Sequence, residues 1–249
     1  MVELSCRPME VKWNKYFDAV YCISLADNIQ RRDDLARELK RVGIKKCFWK
    51  ITVRNEFYRL IWTNPRFRVE KWWMHLEGPL NATLAHYEVM KEALALGYKR
   101  ILILEDDVRF LKNLKDIEEA LGNMPACDIA LLDKCIPFGK ERYFSELEKS
   151  QVNDYWLDFA NVKLWSAACY AVSAKAMDVI TRNQLRCFIP ADHATNRVDN
   201  LGKVVNDDGL RRVASIRNIA VQNFFYKKEQ NETDKLAYTE FVNLEDYAL

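Results

Sequence analysis

Lys99-Arg100-Ile101-Leu102-Ile103-Leu104-Glu105-Asp106-Asp107-Val108 is the stretch that decides the reading of this chain. Four consecutive branched apolar residues with no polar alternation describe a strand buried on both faces, the pattern of a parallel sheet covered by helices. Three carboxylates follow at its carboxyl end, which is where open α/β sheets bind their ligands. Adjacent carboxylates repel one another, and a hard divalent cation would remove the conflict. Alternation along an extended chain sends Glu105 and Asp107 to one side and Asp106 to the other, so the first and third are the expected metal ligands. Oxygen donors favour Mg²⁺ or Mn²⁺, which keep coordination positions for substrate phosphates. The competing reading is a solvated acidic turn or a helix N-cap cluster.

Outward from this strand the pattern alternates. Residues 19–25 form an apolar, β-rich run closed by Asp27-Asn28, residues 30–41 show a one-sided helical pattern stopped by Gly43, and residues 47–53 return to strand composition. The first 53 residues are thus expected to form a βαβ unit. A helix is expected over 81–96 with Gly97 at its C′ position, and His86 lies near its start. Further strands are expected over 128–132, 167–172 and 213–222, with helices over 116–121 and 175–182; residues 137–160 look irregular. The expected fold is one α/β domain over 1–249 with a mixed, mostly parallel sheet, helices on both faces and a charged tail over 227–249.

Composition excludes several classes. With 249 residues, 49% apolar and 30% charged, the chain is neither disordered nor membrane-embedded in character. A net charge of +2 gives no general grip on polyanions, so no nucleic-acid partner is expected. The seven glycines stand at 43, 78, 97, 122, 139, 202 and 209, so no P-loop, G-x-G-x-x-G or G-x-S-x-G motif can be written. Three histidines form no H-E-x-x-H, and seven widely spaced cysteines contain no C-x-x-C, which points to reduced thiols. Residues 1–8 carry no secretory leader pattern, and no apolar run approaches the ~18 residues of a membrane span. A cytoplasmic protein is expected, with peripheral membrane association left open.

Three other constellations are candidates. Ile189-Pro190-Ala191-Asp192-His193 sets an acid beside an imidazole, either of which could act as a general base or metal ligand; the alternative is a helix-capping Asp192 with a bystander His193. Gln30-Arg31-Arg32 could present an arginine fork to a diphosphate, or simply begin a solvated helix. Residues 54–79 interleave Trp62, Trp72 and Trp73 with Arg54, Arg59 and Arg66, either a base-stacking surface or a packed excursion with snorkelling arginines. Asp207-Asp208 before Gly209 reads as a turn.

Taken in order, Val20-Tyr21-Cys22-Ile23-Ser24-Leu25 with Arg31-Arg32, Leu84-Ala85-His86, Ile101 to Val108, Ala168-Cys169-Tyr170-Ala171-Val172-Ser173 and Pro190-Ala191-Asp192-His193 resemble glycosyltransferase family 25. That family contains the lipopolysaccharide/lipooligosaccharide and procollagen galactosyltransferases. The resemblance spans roughly 19–226 and implies a GT-A-like, Rossmann-like domain that binds a nucleoside-diphosphate sugar, UDP-hexose by expectation, and acts on a glycan or glycoconjugate hydroxyl with inversion. Ser24 stands where the family has Asn in I-N-L, with Leu25 beside it at the nucleotide edge, and Arg31 matches the following arginine. His86 matches the histidine of the S-H pair, with Ala85 replacing the serine. Glu105-Asp106-Asp107 matches the acidic motif, which implies Glu105 and Asp107 on the metal, Mn²⁺ first and Mg²⁺ second, and Asp106 with the substrate. Asp192 matches the late P-x-D acid and is the expected base, with His193 beside it on the substrate side. The G-E-x-G-C stretch of the family is here Gly78-Pro79-Leu80-Asn81-Ala82-Thr83, a departure next to the donor sugar; galactose is the first donor expected. The rival functions are a non-catalytic nucleotide-sugar or glycan binder and a metal-dependent phosphohydrolase or nucleotidyltransferase.

Overall fold

A computed structural model of the chain describes residues 11–53, 77–111, 113–134, 149–159, 164, 166–186 and 208–222, without the side chains of 77–80, 185 and 186. The elements are α1 (Trp13–Tyr16), β1 (Ala19–Leu25), α2 (Ile29–Arg41), β2 (Phe48–Thr52), α3 (Glu77–Ala95), β3 (Arg100–Glu105), β4 (Val108–Phe110), α4 (Leu114–Gly122), β5 (Ile129–Leu131), β6 (Trp156–Asp158), β7 (Cys169–Ser173), α5 (Ala174–Arg186), β8 (Arg212–Ser215) and β9 (Ala220–Gln222). A seven-stranded sheet has the order β2-β1-β3-β7-β5-β8-β6, and β4 and β9 form a separate antiparallel pair. Strands β1, β2, β3, β5 and β8 run one way, while β6 and β7 run the other. The sheet is thus mixed and mostly parallel, as the GT-A-like expectation requires.

The strand 101–104 is buried on both faces as its sequence dictates. Leu102 and Leu104 join Leu35, Leu39, Ile117 and Leu121 of α2 and α4 in one core layer. Ile101 and Ile103 join Ala85, Val89, Met90, Met177 and Ile180 of α3 and α5 in the other. Helices therefore cover both faces. Asp18 fixes where β3 begins, its carboxylate accepting the N–H groups of Lys99 (2.6 Å) and Arg100 (2.9 Å).

Glycine ends two helices where the sequence places it. At φ +74° Gly97 lets its N–H bond the Leu94 carbonyl and the Tyr98 N–H bond that of Ala93, the paired closure of a Schellman turn. Gly43, at φ +80°, closes α2 in the same way onto Lys40 and Leu39. Cys22, Cys47, Cys127 and Cys169 are free thiols. No helix among the described residues is long and apolar enough to cross a membrane.

Several elements differ from expectation. Helix α3 starts at Glu77 rather than at 81, because Pro79 is tolerated in a first helical turn, where its missing N–H would have no intrahelical partner. The single strand expected over 213–222 is two, β8 and β9, in different sheets: the chain bends at 216–219 so that the N–H groups of Ile219 and Ala220 both reach the Leu132 carbonyl. Within the stretch expected to be irregular, β6 pairs antiparallel with β8. It is three residues long, too short for its alternation to register. The strand expected over 167–172 is the antiparallel β7.

Asp208 does sit in a turn, its Oδ1 accepting the Leu210 N–H at 3.1 Å before Gly209 at φ +67°. It also holds Arg212 through two bonds of 2.9 and 2.6 Å, with the side chains only 1% and 4% exposed. Removing one partner of such a buried pair leaves the other charge uncompensated and costs ~3–5 kcal/mol. Asp208→Ala is therefore expected to lower the melting temperature by about 10 °C or more in calorimetry; a change within 2 °C or so would show that the pair is not a fixed part of the fold.

Candidate functional site

The site lies at the carboxyl edge of the sheet, and the register explains what meets there. Tyr170 of β7 is flanked by Ile103 of β3 and Leu131 of β5. Two residues farther along those strands' shared direction come Glu105 and Asp133. Ser24, at the end of β1, joins them from the far side of β3.

Beyond Glu105 the strand geometry ends. Glu105 faces the α3 side, while Asp106 turns to the α2 side, where its Oδ2 accepts from Ser24 Oγ (2.6 Å) and Asn28 Nδ2 (3.0 Å). Asp107 follows Asp106 directly, past the end of β3. It lies in the turn to β4, and Arg31 Nη1 bridges Asp106 Oδ1 at 3.3 Å and Asp107 Oδ2 at 3.5 Å. Past the end of β3 strand alternation no longer governs the side chains, and the guanidinium stands between the two aspartates.

The two arginines have separate tasks. Arg31 is 27% exposed and its Nη1 stands over the acidic pair. Arg32 turns back to the chain, donating to the Leu25 carbonyl and to that of Ala26 (3.0 Å), which ties down the loop after β1. Ser24 is buried, and its hydroxyl positions Asp106.

Glu105 is braced from both sides. His86, 2% exposed on α3, places Nε2 3.2 Å from Oε1, and Gln222 of β9 donates to Oε2 at 3.3 Å. The other His86 nitrogen, Nδ1, is 2.9 Å from the Tyr170 hydroxyl, and the two rings stack. The departure at 78–83 forms the first turns of the same helix, with Asn81 and Thr83 buried.

Asp133 was not among the residues singled out by sequence. It is 4% exposed, accepts from Ser166 Oγ at 2.5 Å, and lies close enough to Glu105 and Asp107 to feel their charge. Burial is the main cause that holds its carboxyl up at about 7; the Ser166 and Cys169 donors pull it down, and the charges of Glu105 and Asp107 push it up. Ser166 has φ +126°, a backbone strain that costs ~1–3 kcal/mol and recurs at functional sites. The signal available was the one used for Glu105, an acid immediately after an apolar strand.

Hard carboxylate oxygens close to a half-buried guanidinium could suit Mg²⁺ or Mn²⁺ shared with a diphosphate, because these ions need only one or two protein carboxylates when phosphates complete the shell. Glu105 and Asp107 are the sequence-expected carboxylates that could hold such an ion. Among the described residues no group of three His, Cys, Asp or Glu side chains is arranged to hold a metal ion. Asp192 and His193 lie outside the described residues, as do residues 54–76 of the basic-aromatic stretch.

The raised Asp133 carboxyl has a thermodynamic signature in the metal-free protein. A carboxyl held above its unfolded value of ~3.9 favours folding fully below that pH, and the contribution is lost as pH rises to about 7. Asp133→Asn should raise the melting temperature at pH ~8 relative to wild type, on the order of 5 °C, and lose that advantage near pH 4. A pH-independent difference between the two proteins would contradict this.

The family model described as glycosyltransferase family 25 (LPS biosynthesis protein) matches residues 17–195. The Homo sapiens protein named inactive glycosyltransferase 25 family member 3 is 27% identical over 186 residues, covering 71% of this chain and 31% of that protein. The chain thus spans less than a third of the length of this relative. Among solved structures, A197 from STIV is similar at a TM-score of 0.37 and 9% identity, over 79% of this chain and 80% of that one. Mouse xyloside xylosyltransferase 1 in its apo form is similar at a TM-score of 0.29 and 16% identity, over 64% and 56%. Since the family match alone takes in well over half of the 249 residues, this chain belongs to glycosyltransferase family 25.

Proposed function

We propose that the chain is a metal-dependent, inverting glycosyltransferase that moves a hexose from a nucleoside diphosphate, with UDP-galactose the first donor to try, to a hydroxyl of a glycan or glycoconjugate. The observation that carries the reading is Arg31 Nη1 bridging Asp106 and Asp107 at the carboxyl edge of a mostly parallel sheet. Cation and carboxylates side by side suit a ligand that is both metal-bound and anionic. A phosphate group could meet the guanidinium while its metal meets the carboxylates.

In this reading Glu105 and Asp107 hold a divalent cation, which supplies charge neutralisation at the departing diphosphate. Arg31 binds the same diphosphate, and Asp106, fixed by Ser24 and Asn28, keeps the guanidinium aimed. Preorganised charge of this type contributes most where charge develops in the transition state. The acceptor oxygen forms the new bond to the anomeric carbon as the bond from that carbon to the β-phosphate oxygen breaks, and the nucleoside diphosphate leaves with the electron pair. Asp192 takes the acceptor proton. Inversion and the role of Asp192 rest on the family motif alone.

A non-catalytic reading has support in the name of the human relative and in the altered 78–83 segment. A panel of nucleotide sugars with Mn²⁺, with and without chelator and acceptor glycans, separates the readings. Chelator-sensitive transfer with release of nucleoside diphosphate is expected; nucleoside monophosphate would indicate hydrolysis at phosphorus, and binding without turnover a non-catalytic protein.

Asp107→Ala is expected to abolish Mn²⁺-dependent binding of the nucleoside diphosphate in calorimetric titration, and Glu105→Ala to weaken it. Unchanged metal-dependent affinity in Asp107→Ala would remove the assignment. In a transfer assay Asp192→Asn should lower turnover by roughly 10² or more with donor affinity little changed, since Asn retains the capping ability of Asp but accepts no proton. Near-normal turnover there, with loss in His193→Gln, would transfer the role to His193.

A further inference from the structure

We propose that Cys47 and Cys22 form an oxidation site at which a hydroperoxide converts two thiols into a disulfide between β1 and the entry to β2. The chemistry is that of the two sulfurs alone and needs neither metal nor nucleotide.

Two strands bring the sulfurs together. β1 and β2 run parallel, with Cys22 opposite Trp49. Cys47 precedes Trp49 by two residues, and side chains two apart on an extended chain share a face. All three accordingly meet one core layer, Cys22 within it and Cys47 and Trp49 packed against it. There the two thiols are hydrogen-bonded to each other. Cys169 stands in the same row of the sheet but out of reach. Leu104 pairs with Cys22 on one side and with Cys169 on the other, so two strand spacings, roughly 9.5 Å, separate those backbones. A disulfide needs Cα atoms within about 7 Å of each other. Cys47 lies just before Phe48, the first residue of β2, so drawing it to Cys22 moves the connection from α2 rather than the sheet ladder.

The two sulfurs differ as a reacting and a resolving thiol must. Among the described cysteines Cys47 alone is not buried, whereas Cys22 is fully enclosed. The hydrogen bond from Cys22 holds the Cys47 thiol below its ordinary value, against the opposing effect of burial. Burial pushes the Cys127 and Cys169 thiols the other way. Since the thiolate is the nucleophile, an accessible sulfur with a donor beside it is the one a peroxide meets. In the first step the Cys47 thiolate attacks one peroxide oxygen and the O–O bond breaks. Cys47 becomes a sulfenic acid, and the other oxygen leaves as hydroxide and takes up the proton released from the thiol to give water. In the second step the Cys22 sulfur attacks the sulfenic sulfur, the S–O bond breaks, and the hydroxide leaves with the Cys22 proton as a second water. The peroxide gains two electrons and each sulfur gives up one.

The test is to expose the folded full chain to hydrogen peroxide at pH ~7, where the thiolate fraction decides reactivity, and to map the alkylated, unreduced peptides by mass spectrometry. A peptide joining Cys22 to Cys47 is expected, lighter by two hydrogens than the sum of its parts and separated again by dithiothreitol, from protein whose circular dichroism is unchanged. In Cys22→Ala the linked peptide should be lost, and Cys47 should instead be captured by dimedone, which labels sulfenic acids. In Cys47→Ala, Cys22 should stay a thiol, because no oxidised neighbour is left for it to resolve. Three results would overturn the assignment: Cys47 recovered as a free thiol from peroxide-treated wild type, Cys47 bridged to any other cysteine, or a Cys22–Cys47 link that forms only after unfolding. The wild-type map decides the matter even where a variant fails to fold.

Discussion

Repulsion among carboxylates at the end of β3 is the constraint around which this edge of the molecule is organised. The apolar strand 101–104 is locked between two core layers, so Glu105, Asp106 and Asp107 cannot be relieved by sliding the strand. Each acid is instead given its own environment: Glu105 is bonded by His86 and Gln222, Asp106 by Ser24 and Asn28, and Arg31 bridges Asp106 to Asp107. Elements from both faces of the sheet and from the β4–β9 ribbon are thus committed to one cluster. Such concentration of charge beside a half-buried guanidinium is poor design for stability alone. It is coherent as a place prepared for a charged ligand.

The cluster also explains features that look unrelated. The bend that splits β8 from β9 delivers Gln222 to Glu105. The antiparallel run of β7 places Tyr170 between two parallel strands, where its hydroxyl reaches a helix residue instead of solvent. The strained Ser166 backbone fits the same picture, its hydroxyl anchoring the buried Asp133 beside Glu105 and Asp107.

Much of this was legible in the sequence, for identifiable reasons. The βαβ start, the two-sided strand and both glycine helix stops depend on local periodicity and on backbone conformations that only a few residues adopt, and these the chain spells out. Ser24, Arg31, His86 and the acidic triplet do gather at one edge, because strand ends in a parallel sheet are brought together by topology. What the sequence could not show was pairing. Nothing local says that Arg31 would join Asp106 to Asp107, that Arg32 would bond backbone carbonyls, or that His86 would lie between Tyr170 and Glu105. Asp133 was readable in principle, since it follows an apolar strand as Glu105 does, but a single acid there lacks the contrast of a triplet. Short elements such as β6 and β9 carry too few residues for alternation to emerge.

The central claim is that the edge formed by Arg31, Glu105 and Asp107 binds a metal–nucleoside diphosphate, and the most direct test is a crystal structure grown with Mn²⁺ and UDP, with anomalous data collected at the manganese edge. The account predicts a manganese peak at bonding distance from an Asp107 carboxylate oxygen and a diphosphate contacting the Arg31 guanidinium. A manganese peak elsewhere on the protein, or a bound diphosphate that touches neither Arg31 nor a metal at Asp107, would contradict it.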